Sequence, residues 1–278
     1  MSQPIHATSV GTGHQHVVFL HGLFGQGKNF TGVATALAEQ LGDVTVHLLD
    51  LPNHGRSAWT VDLSYPALAD QVATWLRTHT GRVSDGRGAA LLGHSMGGKV
   101  AMLVALRHPD LVSRLVVADI TPGQSAGVMT FGPYIDAMQA IDLETLDSRK
   151  EADEALRSTV PSATVRGFLL QNLRRIPPDS PGKRARWRWQ MNLDLLGREL
   201  PTLAAWPHED LQPWPGPVLW VAGQRSPYIS PADRPAMQAL FPQVRLVTIK
   251  NAGHWVHSEQ PEAFVAVLKA FLSPASPN

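Results

Sequence analysis

Gly93-His94-Ser95-Met96-Gly97-Gly98 stands between the apolar run Ala89-Ala90-Leu91-Leu92 and the helical pattern Lys99 to Arg107. A strand that turns into a helix within so few residues brings backbone against backbone. Glycines on either side of one serine remove the β-carbons that would collide there. The strained turn pushes the Ser95 hydroxyl out at the top of a sheet, in the manner of a nucleophile elbow. The chain must therefore supply a mainly parallel sheet to carry this unit, and Ser95 is the candidate nucleophile.

The first half alternates short apolar runs with longer amphipathic ones, the pattern of an α/β fold. His16 to His21, Val44 to Asp50, Ala89 to Leu92 and Leu115 to Ala118 read as strands, and Phe30 to Leu41 and Ser64 to His79 as helices. From Gly123 to about Pro213 there is helical periodicity with proline breaks and a basic stretch, and no strand is expected. Strand signals return at Pro217 to Gly223 and Val244 to Ile249, and Glu259 to Leu272 reads as a closing helix. The expected organisation is a core of residues 1–121 and 214–278 interrupted by a helical lid over 122–213.

With 278 residues, 44% of them hydrophobic, the chain can bury a full core. Its 24 basic and 23 acidic residues leave a net charge of +1, which gives no reason to expect a nucleic-acid partner. The absence of cysteine excludes disulfides, thiolate catalysis and cysteine-ligated metal. Residues 1–6 have neither a basic start nor an apolar stretch of leader length, and no later run approaches the ~20 apolar residues of a membrane span. The reading is a soluble, cytoplasmic protein, monomeric or a small homo-oligomer, with no membrane partner.

A serine hydroxyl needs an adjacent base and a third group to orient that base. Asn251-Ala252-Gly253-His254, between the last strand and the last helix, supplies His254 as the base. The acid is less direct. After the strand ending at Gly223 the chain reads Gln224-Arg225-Ser226-Pro227, with no carboxylate. Asp233, downstream beside Ser230 and Pro231, fits the first turn of a helix. Asp119 closes the strand Leu115-Val116-Val117-Ala118 and is the favoured acid.

The developing oxyanion needs backbone donors, which the glycine-bounded loop His21-Gly22-Leu23-Phe24-Gly25 and the amide of Met96 can provide. Whether Leu23 or Phe24 gives the amide stays open at this level. Asp50 to Ser57 is a polar loop at a strand end, read as structural. His21, Asp50 and His54 lack a recognised metal-ligand spacing, so no metal and no cofactor are expected. Arg174, Arg175, Lys183, Arg184, Arg186 and Arg188, interleaved with Trp187 and Trp189, match a nucleotide-stacking surface such as acyl-coenzyme A would use. The favoured alternative is a lid helix with Trp189, Leu193 and Leu196 inward and solvated arginines outward.

The HGLFG loop, Asp50 to Ser57, Gly93 to Gly98 and Asn251 to His254 together resemble the α/β-hydrolase superfamily over nearly the whole chain. More narrowly, Asn53 to Ser57, Gly93 to Met102, Ala118 to Pro122 and Ser226-Pro227-Tyr228 resemble the YbfF-type esterases. The resemblance implies a mainly parallel eight-stranded sheet with an inserted helical lid, an acid at Asp119 and a serine at Ser226. It implies hydrolysis of short acyl esters and thioesters, including acyl-coenzyme A. Trp187, Arg188, Trp189, Tyr228 and Trp255 are the candidate substrate contacts. Pro52 departs from the group, which commonly has a basic residue there. The alternatives are a carbon-carbon bond hydrolase on the same triad and a ligand-sensing protein with little turnover.

Overall fold

The computed structural model describes residues 5–80, 88–177, 186–207 and 210–273. The chain runs through β1 (Ala7–Val10), β2 (Gln15–Leu20), α1 (Thr31–Leu41), β3 (Val44–Leu49), α2 (Tyr65–His79), β4 (Ala89–His94), α3 (Met96–Arg107) and β5 (Val112–Ala118). Between β5 and the next sheet strand lie α4 (Ala126–Met129), α5 (Gly132–Gln139), α6 (Arg149–Leu156) and α7 (Ala163–Leu170). A hairpin of β6 (Leu173–Ile176) and β7 (Arg186–Trp189) follows, then α8 (Leu193–Arg198) and α9 (Leu200–Ala204). β8 (Val218–Gly223), α10 (Arg234–Leu240), β9 (Val244–Ile249), α11 (Val256–Glu259) and α12 (Pro261–Leu272) complete the fold.

The main sheet has the order β1-β3-β2-β4-β5-β8-β9, with β1 antiparallel to β3 and every other pairing parallel. Among the described residues it has seven strands where eight were expected. Its inner strands are near-continuous apolar runs because helices cover both faces. The pleat sends Val18, Leu20, Leu91, Leu115, Val117 and Trp220 into a core with α2, α3 and the segment between β5 and β8. It sends Val17, Phe19, Leu92, Val116 and Val221 into a second core under α1 and α12. Each such side chain, fully buried, contributes about 1.5–3 kcal/mol.

Helix starts follow the local chemistry. The hydroxyls of Ser64, Ser148 and Ser162 accept first-turn N–H groups of α2, α6 and α7, and the Asn192 side chain does the same for α8.

The expectation of no strand between 123 and 213 is corrected. Arg186-Trp187-Arg188-Trp189 is a strand, paired antiparallel with Leu173 to Ile176. The helix expected to carry Trp189 with Leu193 and Leu196 is instead strand β7 followed by α8. The alternation of arginine and tryptophan is a period of two, which keeps both tryptophans on one side of a strand. Lys183 and Arg184 lie outside the described residues. Among the described residues, no helix is long and apolar enough to cross a membrane.

Candidate active site

β2 and β4 are neighbours, yet the chain leaves β2 for β3 on one side and β4 for β5 on the other. A parallel sheet opens a crevice at the carboxyl ends of strands where the order reverses in this way. The His21–Gly25 loop leaves β2 at that point, and Ser95 leaves β4.

Ser95 has φ 53° and ψ −121°, a conformation that costs about 1–3 kcal/mol and persists only where the surroundings enforce it. The enforcement is steric. A β-carbon on Gly93 would lie 2.1 Å from the carbonyl oxygen of Gly97, and one on Gly97 would lie 2.3 Å from that of Leu20. The Ser95 amide is meanwhile tied to the Ala118 carbonyl at 3.0 Å, joining the elbow to the end of β5.

Asp119 follows directly in the chain, is fully buried, and also has a positive φ of 54°. Its Oδ1 accepts the Gly223 N–H at 2.9 Å, and its Oδ2 accepts the Ser226 hydroxyl and the Nδ1–H of His254, the latter at 2.8 Å. A carboxylate only accepts, so the His254 proton sits on Nδ1, and the Nε2 lone pair has no hydrogen-bond partner among the described residues. Asp233 is elsewhere: its carboxylate accepts the N–H and hydroxyl of Ser230 at 2.7 and 2.8 Å, closing a helical turn.

The loop that carries His254 is braced from several sides. Glu259 accepts the Gly253 N–H at 2.9 Å and is itself held by Arg225 at 3.1 Å. The Tyr228 ring stacks on the imidazole with centroids 4.0 Å apart. The neighbour of Ser95 in the elbow, His94, donates from Nε2 to the His254 carbonyl at 2.8 Å. Burial, and then the nearby His254, hold the His94 imidazole well below the usual histidine range. His257, wedged between His94 and Phe30, is pushed by burial down to a pKa of about 3. Sequence reasoning did not anticipate His94, His257 or Glu259; the only local signal was the histidine inside the elbow.

After β2, Gly22 to Gly25 form a turn closed by the Gly25 N–H to the Gly22 carbonyl at 2.9 Å, with Phe24 at φ 62°. Neither the Leu23 nor the Phe24 amide makes a hydrogen bond among the described residues. Met96 opens α3, so its N–H has no helical acceptor and lies at the positive end of the helix dipole. His21 accepts the Leu51 N–H on Nε2 at 2.9 Å and donates from Nδ1 to the Gly22 carbonyl at 2.8 Å. Burial lowers its pKa to about 4. Asp50 accepts the amides of Gly27 and Arg56 at 2.7 and 2.8 Å, and His54 donates to the Pro52 carbonyl at 3.0 Å. These residues are spent on holding loops together.

Ser95 and His254 line one cavity of about 20 Å³ with Leu23, Phe131, Phe168 and Trp255. A cleft of about 440 Å³ adjoins it, sharing Asn29, Phe168, Trp255 and His257. Of the candidate substrate contacts, Trp255 lines both spaces and Tyr228 covers His254. Trp189 is buried in the core, Trp187 packs against it, and Arg188 pairs across the hairpin with Arg174, away from the cavity walls. Phe131 and Phe168, unanticipated from the sequence, bring the inserted segment to the site.

A family model described as alpha/beta hydrolase fold matches residues 15–261. The sn-1-specific diacylglycerol lipase ABHD11 of Mus musculus is 39% identical over 261 residues, covering 92% of this chain and 80% of that protein. Esterase YbfF of Escherichia coli (strain K12) is 30% identical over 257 residues, covering 92% of each chain. The solved structure of a marine microorganism esterase matches with a TM-score of 0.88 at 32% identity, covering 98% of this chain and 100% of that one. Matched along its length by the family model and by relatives that span it, the chain belongs to the α/β-hydrolase family, and within it resembles the YbfF-type esterases.

Proposed function

We propose that this protein is a serine hydrolase of carboxylic esters, with Ser95 as nucleophile, His254 as general base and then acid, and Asp119 as the group that orients His254. The observation that carries this reading is the 2.8 Å bond between the buried Asp119 and Nδ1 of His254, which lines the same cavity as Ser95. Ser95 Oγ attacks the acyl carbonyl as His254 Nε2 takes its proton, and Asp119 stabilises the imidazolium. The oxyanion is received by the amide of Met96 and by one from the Leu23–Phe24 turn, whose N–H groups make no hydrogen bond among the described residues. His254 returns the proton to the leaving alcohol, and a water deprotonated by His254 then releases the acid from Ser95.

The same steps serve thioesters, including acyl-coenzyme A. Residues 122–213 act as a lid whose Phe131 and Phe168 narrow the space over Ser95. The names of the relatives, a diacylglycerol lipase and an esterase, support ester substrates. Steady-state hydrolysis of p-nitrophenyl esters of graded acyl length tests the proposal, with Ser95→Ala as the control. Sustained turnover that vanishes in the variant is expected, and equal rates in both proteins would remove the reading.

A further inference from the structure

We propose that Asn172, between α7 and β6 in the inserted segment, is a positioning residue for the oxyanion turn. It holds Phe24 in the backbone conformation that leaves the Leu23 and Phe24 amides free beside Ser95. The inference rests on the reading of Ser95 as nucleophile and of this turn as the oxyanion site.

Phe24 at φ 62° is in the left-handed region that residues with a β-carbon rarely adopt. Such a conformation survives only where its surroundings over-determine it. At Phe24 the determinants come from the insertion. Its carbonyl accepts the Asn172 Nδ2–H at 2.9 Å, while the other end of the same peptide, the Gly25 N–H, is held by Gly22 at 2.9 Å. Its ring, fully buried, meets Phe131 edge-on at 5.6 Å. Without the tie to Asn172, Phe24 can relax out of the left-handed region, and a change in its φ turns the Leu23–Phe24 peptide, which carries the Phe24 amide.

Asn172 is itself locked. It is fully buried, its Oδ1 accepts the Gln26 Nε2–H at 2.7 Å, and Nδ2 also reaches the Leu169 carbonyl at 3.2 Å. Two carbonyls on the nitrogen and an amide donor on the oxygen leave one orientation for the side chain. Its backbone carbonyl accepts the Gln190 N–H at 2.8 Å, which ties it to the hairpin. A parallel tie runs from Asn29 Nδ2 to Gln171 Oε1 at 2.8 Å. Asn172 is absent from the cavity wall, so it acts on the chemistry only through other residues.

The test uses the full chain with Asn172→Leu, which keeps the bulk and removes the donor. Three quantities are read: kcat and KM for p-nitrophenyl acetate, Ki for a trifluoromethyl ketone that adds to Ser95, and Ki for the matching methyl ketone that does not. Displacing an oxyanion donor is expected to lower kcat by about 10- to 100-fold, with KM within about twofold. The trifluoromethyl ketone should weaken by the same factor as kcat/KM while the methyl ketone is unchanged. An unchanged kcat, or equal weakening of both ketones, overturns the inference, because the second pattern is general damage to the pocket. If Asn172→Leu does not fold, Gln26→Met leaves Asn172 in place but unoriented. It should lower kcat about 3- to 10-fold with the same split between ketones, and an unchanged kcat again overturns the idea. Wild-type turnover that survives Ser95→Ala would instead sink the serine-hydrolase reading, and this inference with it.

Discussion

The Tyr228 ring lies on the imidazole of His254, with planes 20° from parallel and centroids 4.0 Å apart. Burial, and then the charge of Asp119, push the Tyr228 phenol up to about 12, so it remains neutral while His254 exchanges protons. The stack closes one face of the base and limits its rotation about the bond to Asp119. An aromatic pair is worth about 0.5–1.5 kcal/mol beyond area. Tyr228→Ala is therefore expected to lower kcat about 2- to 10-fold, and Tyr228→Phe, which keeps the ring, to stay within about twofold of wild type. Steady-state ester hydrolysis checks both.

Asp119→Asn should lower kcat by about four orders of magnitude, because an amide facing Nδ1 favours the wrong tautomer of His254. Asp233→Asn should be nearly silent in rate, since that carboxylate serves only a turn with Ser230. Ser226→Ala removes one donor from Asp119 and should fall between the two. Rates for the three variants, compared at equal folded fraction by circular dichroism, decide the matter; a silent Asp119→Asn would move the acid elsewhere.

Acid should destabilise the fold well before the carboxylates titrate. Burial lowers the pKa values of His21, His54 and His257 to about 4, 3 and 3, against 6.5 when exposed. Below 6.5 the unfolded chain binds protons that the folded chain refuses, so stability is full above that pH and is lost as pH falls toward 3–4. Each histidine adds at most ~1.4 kcal/mol per pH unit to the slope. Urea midpoints between pH 7.5 and 4.5 should fall steeply, and His257→Phe, beside Phe30 and Phe264, should flatten the curve. An unaltered slope in that variant would remove His257 from the account.

Lys99, fully buried in α3, donates to the Ala204 and Ala205 carbonyls at 3.0 and 2.7 Å, while the Tyr65 hydroxyl donates to Leu203 at 2.7 Å. The Lys99 bonds fasten the end of α9 to the elbow helix, and the Tyr65 bond fastens it to α2. Burial lowers the Lys99 pKa to about 7 from 10.5. Between those values the unfolded state binds the extra proton, so its contribution to stability rises with pH from about 7 toward 10.5, by at most ~1.4 kcal/mol per unit. Denaturation of Lys99→Met across pH 7–9 should lack this rise. A slope identical to wild type would show that Lys99 is charged throughout.

Much of the site is legible in the residues because it depends on short-range sterics. Gly93 and Gly97 announce the elbow, and the apolar runs at Val17 to Leu20 and Leu115 to Ala118 announce inner strands. Less was legible where burial is partial. Strand β1, Ala7 to Val10, is a half-exposed edge of four residues with little apolar signal. The β6–β7 hairpin was obscured by its arginines, although its period of two was present in the sequence.

By itself, the sequence determined the strand-turn-helix around Ser95, the parallel α/β class and the placing of His254 after the last strand, since these follow from backbone geometry and periodicity among near neighbours. Only the tertiary structure decided that Asp119 meets His254 across 135 positions, and that Asn172 reaches the Phe24 carbonyl across 148. The physical reason is that such contacts depend on how strand order and the inserted segment fold back over the sheet, and no local pattern encodes the direction from which a buried donor arrives.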